Sequence, residues 1–111
     1  MLSPPKPRVT WTVEQAGSDA IVQLRGEIDL LNASELESVL GGLVRDGVER
    51  VVLDFDGVDS IDSSGLRAIV STANGLSTGT RCVRVIRPRE SIRSLFDATG
   101  LTHLFRIDHP A

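Results

Sequence analysis

The sequence predicts an α/β domain in which a mixed β-sheet opens with an N-terminal hairpin and carries helices packed mainly on one face. Three observations lead there. Val9, Trp11 and Val13 alternate with Thr10, Thr12 and Glu14, the period-two pattern of a half-buried strand. Val51-Val52-Leu53-Asp54-Phe55 is a nearly continuous apolar run of the kind found in a central strand. Leu66, Ile69, Val70, Ala73 and Leu76 then recur at helical spacing.

Taken in order, the proline-rich start Met1-Leu2-Ser3-Pro4-Pro5-Lys6-Pro7 reads as part of a flexible arm over residues 1–8, ahead of a domain over 9–107 and a tail over 108–111. Gly17-Ser18-Asp19 supplies turn chemistry between the first strand and a second extended run, Ala20 to Arg25, so the two form a hairpin that Gly26 is expected to end. A helix is expected to begin at Asn32, whose side chain can cap it while Glu35 stands three residues on, as in a capping box. Its apolar stripe is Ala33, Leu36, Leu40 and Leu43. Gly41-Gly42 falls inside it at about 1 kcal/mol per glycine relative to alanine, which calls for close packing or local fraying.

Gly47 marks the exit from that helix, and the apolar run Val51 to Phe55 follows. Asp62 is the expected N-cap of the second helix, with Ile61 and Leu66 in the two positions of a hydrophobic staple. Cys82 to Ile86 reads as a further strand. Pro88 can open a third helix with Ile92, Leu95 and Phe96 on its buried side, and Gly100 stops it. Leu104 to Ile107 adds a last short strand. The order β-β-α-β-α-β-α-β, joined by right-handed crossovers, places the helices mainly on one side of the sheet. There is no internal repeat and no linker long enough to divide the chain.

Composition narrows the function classes. A chain of 111 residues suits one domain, and 41% hydrophobic with 24% charged residues is an ordinary globular balance. The net charge of −3 gives no electrostatic reason for direct contact with nucleic acid or an anionic membrane. The lone Cys82 cannot form an internal disulfide and reads as inert core; no Cys/His grouping has metal-ligand spacing, so neither metal nor cofactor is expected. No segment resembles a signal peptide or a bilayer span, which points to a cytoplasmic protein without membrane insertion. No catalytic residue is expected either. The chain lacks a Gly-x-Ser-x-Gly elbow and a Gly-rich phosphate loop ending in Lys-Ser or Lys-Thr, and His103 and His109 have no carboxylate or cysteine cluster around them.

The richest stretch is Ile61-Asp62-Ser63-Ser64-Gly65-Leu66, which puts two hydroxyls and a carboxylate where a buried strand turns into a helix. A helix start exposes unpaired N–H groups and the positive end of the helix dipole, so a phosphate attached there is tolerated. Ser63 therefore reads as a reversible charge switch. The same triplet is also a common helix cap, and Ser64 reads as a capping or recognition neighbour. Asp29 fits a partner contact and equally well the end of a strand, Glu27 reads as a solvated charge, and Trp11 as a packing residue.

Together, Gly26-Glu27-Ile28-Asp29 before the first helix, the Asp62 to Leu66 corner, and Leu95-Phe96 followed by Thr99-Gly100-Leu101 resemble, from Val9 to Ile107, the bacterial anti-sigma factor antagonists, single-domain members of the STAS family. The resemblance implies a STAS-like fold and partner switching. The unphosphorylated antagonist binds an anti-sigma factor that is also a serine kinase, freeing a sigma factor; phosphorylation, which falls on Ser63 here, releases it, and a phosphoserine phosphatase restores the binding form. The loop with Asp29 and Asn32, and the second-helix start with Asp62, Ser63, Ser64, Gly65 and Arg67, match that family's docking surface. Arg67 stands where many antagonists carry glycine, and could pair with an acidic kinase surface or hold the phosphate. The alternative is a phosphorylation-independent STAS scaffold or transport-complex module.

Overall fold

Strands β1 (Val9–Ala16) and β2 (Asp19–Ile28) pair antiparallel from Val9 opposite Gly26 to Ala16 opposite Asp19, turning at Gly17-Ser18. The chain continues through α1 (Ala33–Arg45), β3 (Arg50–Ile61), α2 (Ser63–Gly75), β4 (Cys82–Ile86), α3 (Glu90–Ala98) and the two-residue β5 (Arg106–Ile107). This computed structural model describes residues 8–76, 81–101 and 106–107, with backbone alone for the last two. His103, Leu104, Phe105, His109 and most of the expected arm and tail lie outside the described residues. The strands lie side by side in sequence order, and β2, β3, β4 and β5 run parallel, so the hairpin supplies the antiparallel pair of a mixed sheet.

The period-two pattern decides which side the helices cover. Ala20, Val22 and Leu24 of β2, Val51, Leu53 and Phe55 of β3, and Val83 and Val85 of β4 are all 0–1% exposed, whereas the alternating Gln23, Arg25 and Arg84 face solvent. Onto the buried face pack Leu36, Leu40 and Leu43 of α1, Leu66, Ile69 and Ala73 of α2, and Ile92 and Phe96 of α3. Phe96 meets Phe55 edge to face, with ring centroids 6.0 Å apart. Each fully buried side chain of this size contributes about 1.5–3 kcal/mol. α1 runs unbroken through Gly41-Gly42 and packs against α2.

Four details depart from the sequence expectations. β2 does not end at Gly26 but bends there, with register shifts against β3 between Gln23 and Arg25 and between Gly26 and Glu27. Gly26 takes φ +99°, and a Cβ on it would stand 2.1 Å from the Arg8 carbonyl oxygen, so only glycine lets β1 start this close. β3 runs six residues past Phe55, because backbone pairing with the bent β2 continues where the side chains turn polar and exposed at Asp56, Asp59 and Ser60. Arg89 rather than Pro88 immediately precedes α3, so Pro88 sits just outside it. Cys82 is half-buried rather than core, since it alternates with the buried Val83.

On the open face, Asp54 is buried at 4% exposure and accepts hydrogen bonds from the Arg87 guanidinium and, at 3.0 Å, from the Asp56 N–H. Burial pushes its carboxyl up. The Arg87 hydrogen bond, the Asp56 N–H and the charges of Arg87 and Arg25 outweigh that and hold it below the usual carboxylate value. Arg87 itself takes φ +55°, an unusual backbone for a non-glycine residue that this pairing helps to hold.

A carboxyl with a lowered folded value contributes stability that is complete above its unfolded value, 3.8, and is lost as pH falls through the folded one. Asp54→Asn is therefore expected to lose on the order of 1 kcal/mol at neutral pH, the exposure of Arg87 screening the pair, and to lose less than the native chain below about pH 4. Urea melts at neutral pH and at about pH 3 check this; parallel losses in the two proteins would refute it.

Candidate functional site

The bend in β2 and the length of β3 bring two chain ends together. Ile28 is opposite Ile61, and the Asp62 N–H donates to the Ile28 carbonyl at 3.0 Å, so the β2–α1 loop and the start of α2 form one surface. Asp62 joins them. Its Oδ1 accepts from the N–H groups of Ser64 at 2.9 Å and Gly65 at 3.1 Å, the N-cap of α2, while its Oδ2 accepts from the Leu30 N–H at 3.2 Å. The expected N-cap thus also ties down the neighbouring loop.

Ser63 is the first residue of α2 and is exposed; its hydroxyl makes no hydrogen bond among the described residues. Ser64 is half-buried. Gly65 is buried, and a Cβ there would stand 2.7 Å from both Ile28 Cγ2 and Ile61 Cγ1, so this helix start reaches the sheet only because the residue has no side chain. Ile61 and Leu66, the expected staple, are both 8% exposed in the core cluster. Arg67 projects from the exposed face of α2 with no hydrogen-bond or ion-pair partner among the described residues.

The loop across from Ser63 is ordered by Asp29 and Asn32. Asp29 is half-buried, pairs with Arg8 Nε at 2.7 Å and accepts from the Leu31 N–H at 3.0 Å. Asn32 makes no cap to α1, contrary to the capping-box expectation: its Oδ1 accepts from the Asp29 N–H at 2.9 Å and its Nδ2 donates to the Glu27 carbonyl at 2.9 Å. The amide fits the local turn better than the helix end, and at 9% exposure it lies beneath the surface that Asp29 edges. Glu27, expected as a solvated charge, is ion-paired with Arg8 at 2.6 Å.

Leu30 and Leu31 are candidate surface residues that the sequence pattern does not single out. They are 74% and 79% exposed, two large apolar side chains beside Ser63's corner, and Leu31 borders a groove of about 440 Å³ with Val9 and Trp11 of β1. The available signal was a Leu-Leu pair between a strand end and a helix start, where neither side chain belongs to a buried stripe. Among the described residues there is no cluster of His, Cys, Asp and Glu able to hold a metal, and no helix long and apolar enough to cross a membrane.

The sequence profile of the STAS domain matches residues 10–109. The chain belongs to the STAS domain family. It is 30% identical over 87 residues to the anti-sigma-B factor antagonist of Staphylococcus aureus (strain NCTC 8325 / PS 47), covering 78% of this chain and 81% of that relative. The crystal structure of an anti-sigma factor antagonist from Mycobacterium paratuberculosis superimposes on this STAS domain with a TM-score of 0.82 at 29% identity, over 99% of this chain and 92% of that one. The anti-sigma factor antagonist SpoIIAA in its unphosphorylated form gives 0.78 at 17% identity, over 90% of this chain and 89% of that one. Its phosphorylated form, described as a Bacillus cell fate determinant, gives 0.72 over 90% and 92%. At that identity the likeness to SpoIIAA concerns the fold.

Proposed function

We propose that this STAS domain is a cytoplasmic anti-sigma factor antagonist. Unphosphorylated, it binds an anti-sigma factor with serine kinase activity through the corner formed by the β2–α1 loop and the start of α2, and so frees a sigma factor. Phosphorylation at Ser63 switches it off, and a phosphoserine phosphatase resets it. The observation that carries this reading is the exposed Ser63 on the first turn of α2, at a corner that Asp62 ties to the loop bearing the exposed Leu30 and Leu31. The names of its relatives support the choice of partner.

The chemistry needs only the kinase and ATP. A base on the kinase takes the Ser63 hydroxyl proton, Oγ bonds to the γ-phosphorus, and the bridging P–O bond breaks to release ADP. The phosphate adds about −1.5 to −2 charges at a helix end that accommodates them. A partner surface built against a neutral hydroxyl and two leucines must then bury or repel that charge, with the Asp62 carboxylate adding to the field.

Incubation of the full chain with candidate anti-sigma kinases and ATP, followed by mass-spectrometric site mapping, tests the reading. One phosphate on Ser63, absent in Ser63→Ala, is expected. Phosphate on Ser64 alone would contradict the site, and no transfer from any kinase that binds the chain would favour the phosphorylation-independent scaffold.

A further inference from the structure

We propose that Arg67 is the built-in counter-ion of the phosphate on Ser63, a positioning residue that holds the modified side chain on the helix and favours its dianionic form. The inference rests on the functional reading above and deepens it. Ser63 and Arg67 stand four residues apart on α2, both exposed, so they occupy neighbouring positions on one face of the helix. Helical side chains lean toward the N-terminus, which carries the long Arg67 side chain over the turn that bears Ser63. An acid at position i with a base at i+4 is also the favourable order for such a pair. A guanidinium offers a planar fork of donors that matches two phosphate oxygens at once.

The surrounding charges leave this cation for that use. The first turn of α2 contains no Asp or Glu, so before modification Arg67 faces the positive end of its own helix without an acidic neighbour on it. Other arginines near the sheet ends are already paired: Arg8 with Glu27 and Asp29, Arg87 with Asp54, Arg89 with Asp59. The acids flanking the corner are engaged elsewhere, Asp62 by three backbone N–H groups and Asp29 by Arg8 and the Leu31 N–H. On α1, which packs against α2, Glu35 and Glu37 are exposed and neither is ion-paired with Arg67. A phosphate on Ser63 is thus the acidic group that completes the pattern. Its second ionisation ordinarily lies near pH 6, so a fall of about 0.5 pH units cuts the singly charged fraction at pH 7 about threefold and leaves the released state more uniformly dianionic.

The test is a phosphorus NMR pH titration of the full chain with phosphoserine placed at position 63 during translation, in the native background and with Arg67→Gln or Arg67→Lys. The native phosphate is expected to ionise about 0.5 pH units below that of Arg67→Gln, with Arg67→Lys between them, and the gap should shrink in about 1 M salt. Arg67 is exposed, so both variants should melt with the unphosphorylated native chain, and Arg67→Lys gives a second reading of the same contact. Superimposable titrations of the native and Arg67→Gln proteins would overturn the assignment. Because no kinase is used, that outcome would leave the phosphorylation mapping untouched, just as failed mapping would leave this titration interpretable.

Discussion

Gly65→Ala is expected to destabilise the domain by about 1–3 kcal/mol and to weaken partner binding although Ser63 is untouched. The added Cβ would meet Ile28 Cγ2 and Ile61 Cγ1 at 2.7 Å, well inside ordinary contact distance. Neither neighbour can give easily. Ile28 is 1% exposed and Ile61 8%, both are β-branched, and both sit where β2 and β3 are paired through the last register position before the corner. The strain has to be relieved by lifting the first turn of α2, which lengthens the Asp62 contacts to the Ser64 and Gly65 N–H groups and, through the other carboxylate oxygen, the one to Leu30. For a domain of this size each kcal/mol lowers the melting temperature by about 4–8 °C. A thermal melt beside Ser64→Ala, which touches no packed contact of this kind and should stay within about 0.5 kcal/mol of native, separates the overlap from a general sensitivity of the helix start. Equal melts of Gly65→Ala and the native chain would mean that the corner is not rigid.

How much of this was legible in the residues follows from where the physics is local. The hairpin, the helical stripes and the Asp62 cap rest on side-chain periodicity and on short-range capping, and each is present. The far half of β3 was not legible, because Asp56, Asp59 and Ser60 are polar and exposed and the strand there is held by backbone pairing with β2. That extension is what brings the site together. Asn32 misled for a related reason: an amide can satisfy a helix end or a turn, and the choice depends on the approach of Glu27 and Asp29, which follows from the bend at Gly26. Leu30 and Leu31 needed the fold, since only the absence of a core above them marks them as surface. The Asp54 and Arg87 pair joins residues 33 apart in sequence and carries no local signature.

The phosphorylation reading separates folding from binding, and Ser63 substitutions make the separation measurable. Ser63→Asp puts a carboxylate on the first turn of α2, where a negative charge complements the helix dipole and contributes about 0.3–1 kcal/mol, so the variant should fold at least as well as the native chain. Against the partner the same charge is unfavourable. It follows directly on Asp62, whose carboxylate ties the corner to the loop bearing the exposed Leu30 and Leu31, and a penalty of about 2.7 kcal/mol for burying or opposing it weakens binding about a hundredfold. Ser63→Ala removes a hydroxyl with no partner among the described residues, so it should bind as the native chain does while remaining deaf to the kinase. Calorimetric titration of the cognate anti-sigma factor with native, Ser63→Ala and Ser63→Asp chains, each shown by its thermal melt to be folded at the titration temperature, tests this most directly. The account predicts matching affinities for the first two and about a hundredfold loss for the third; equal binding by all three would contradict it.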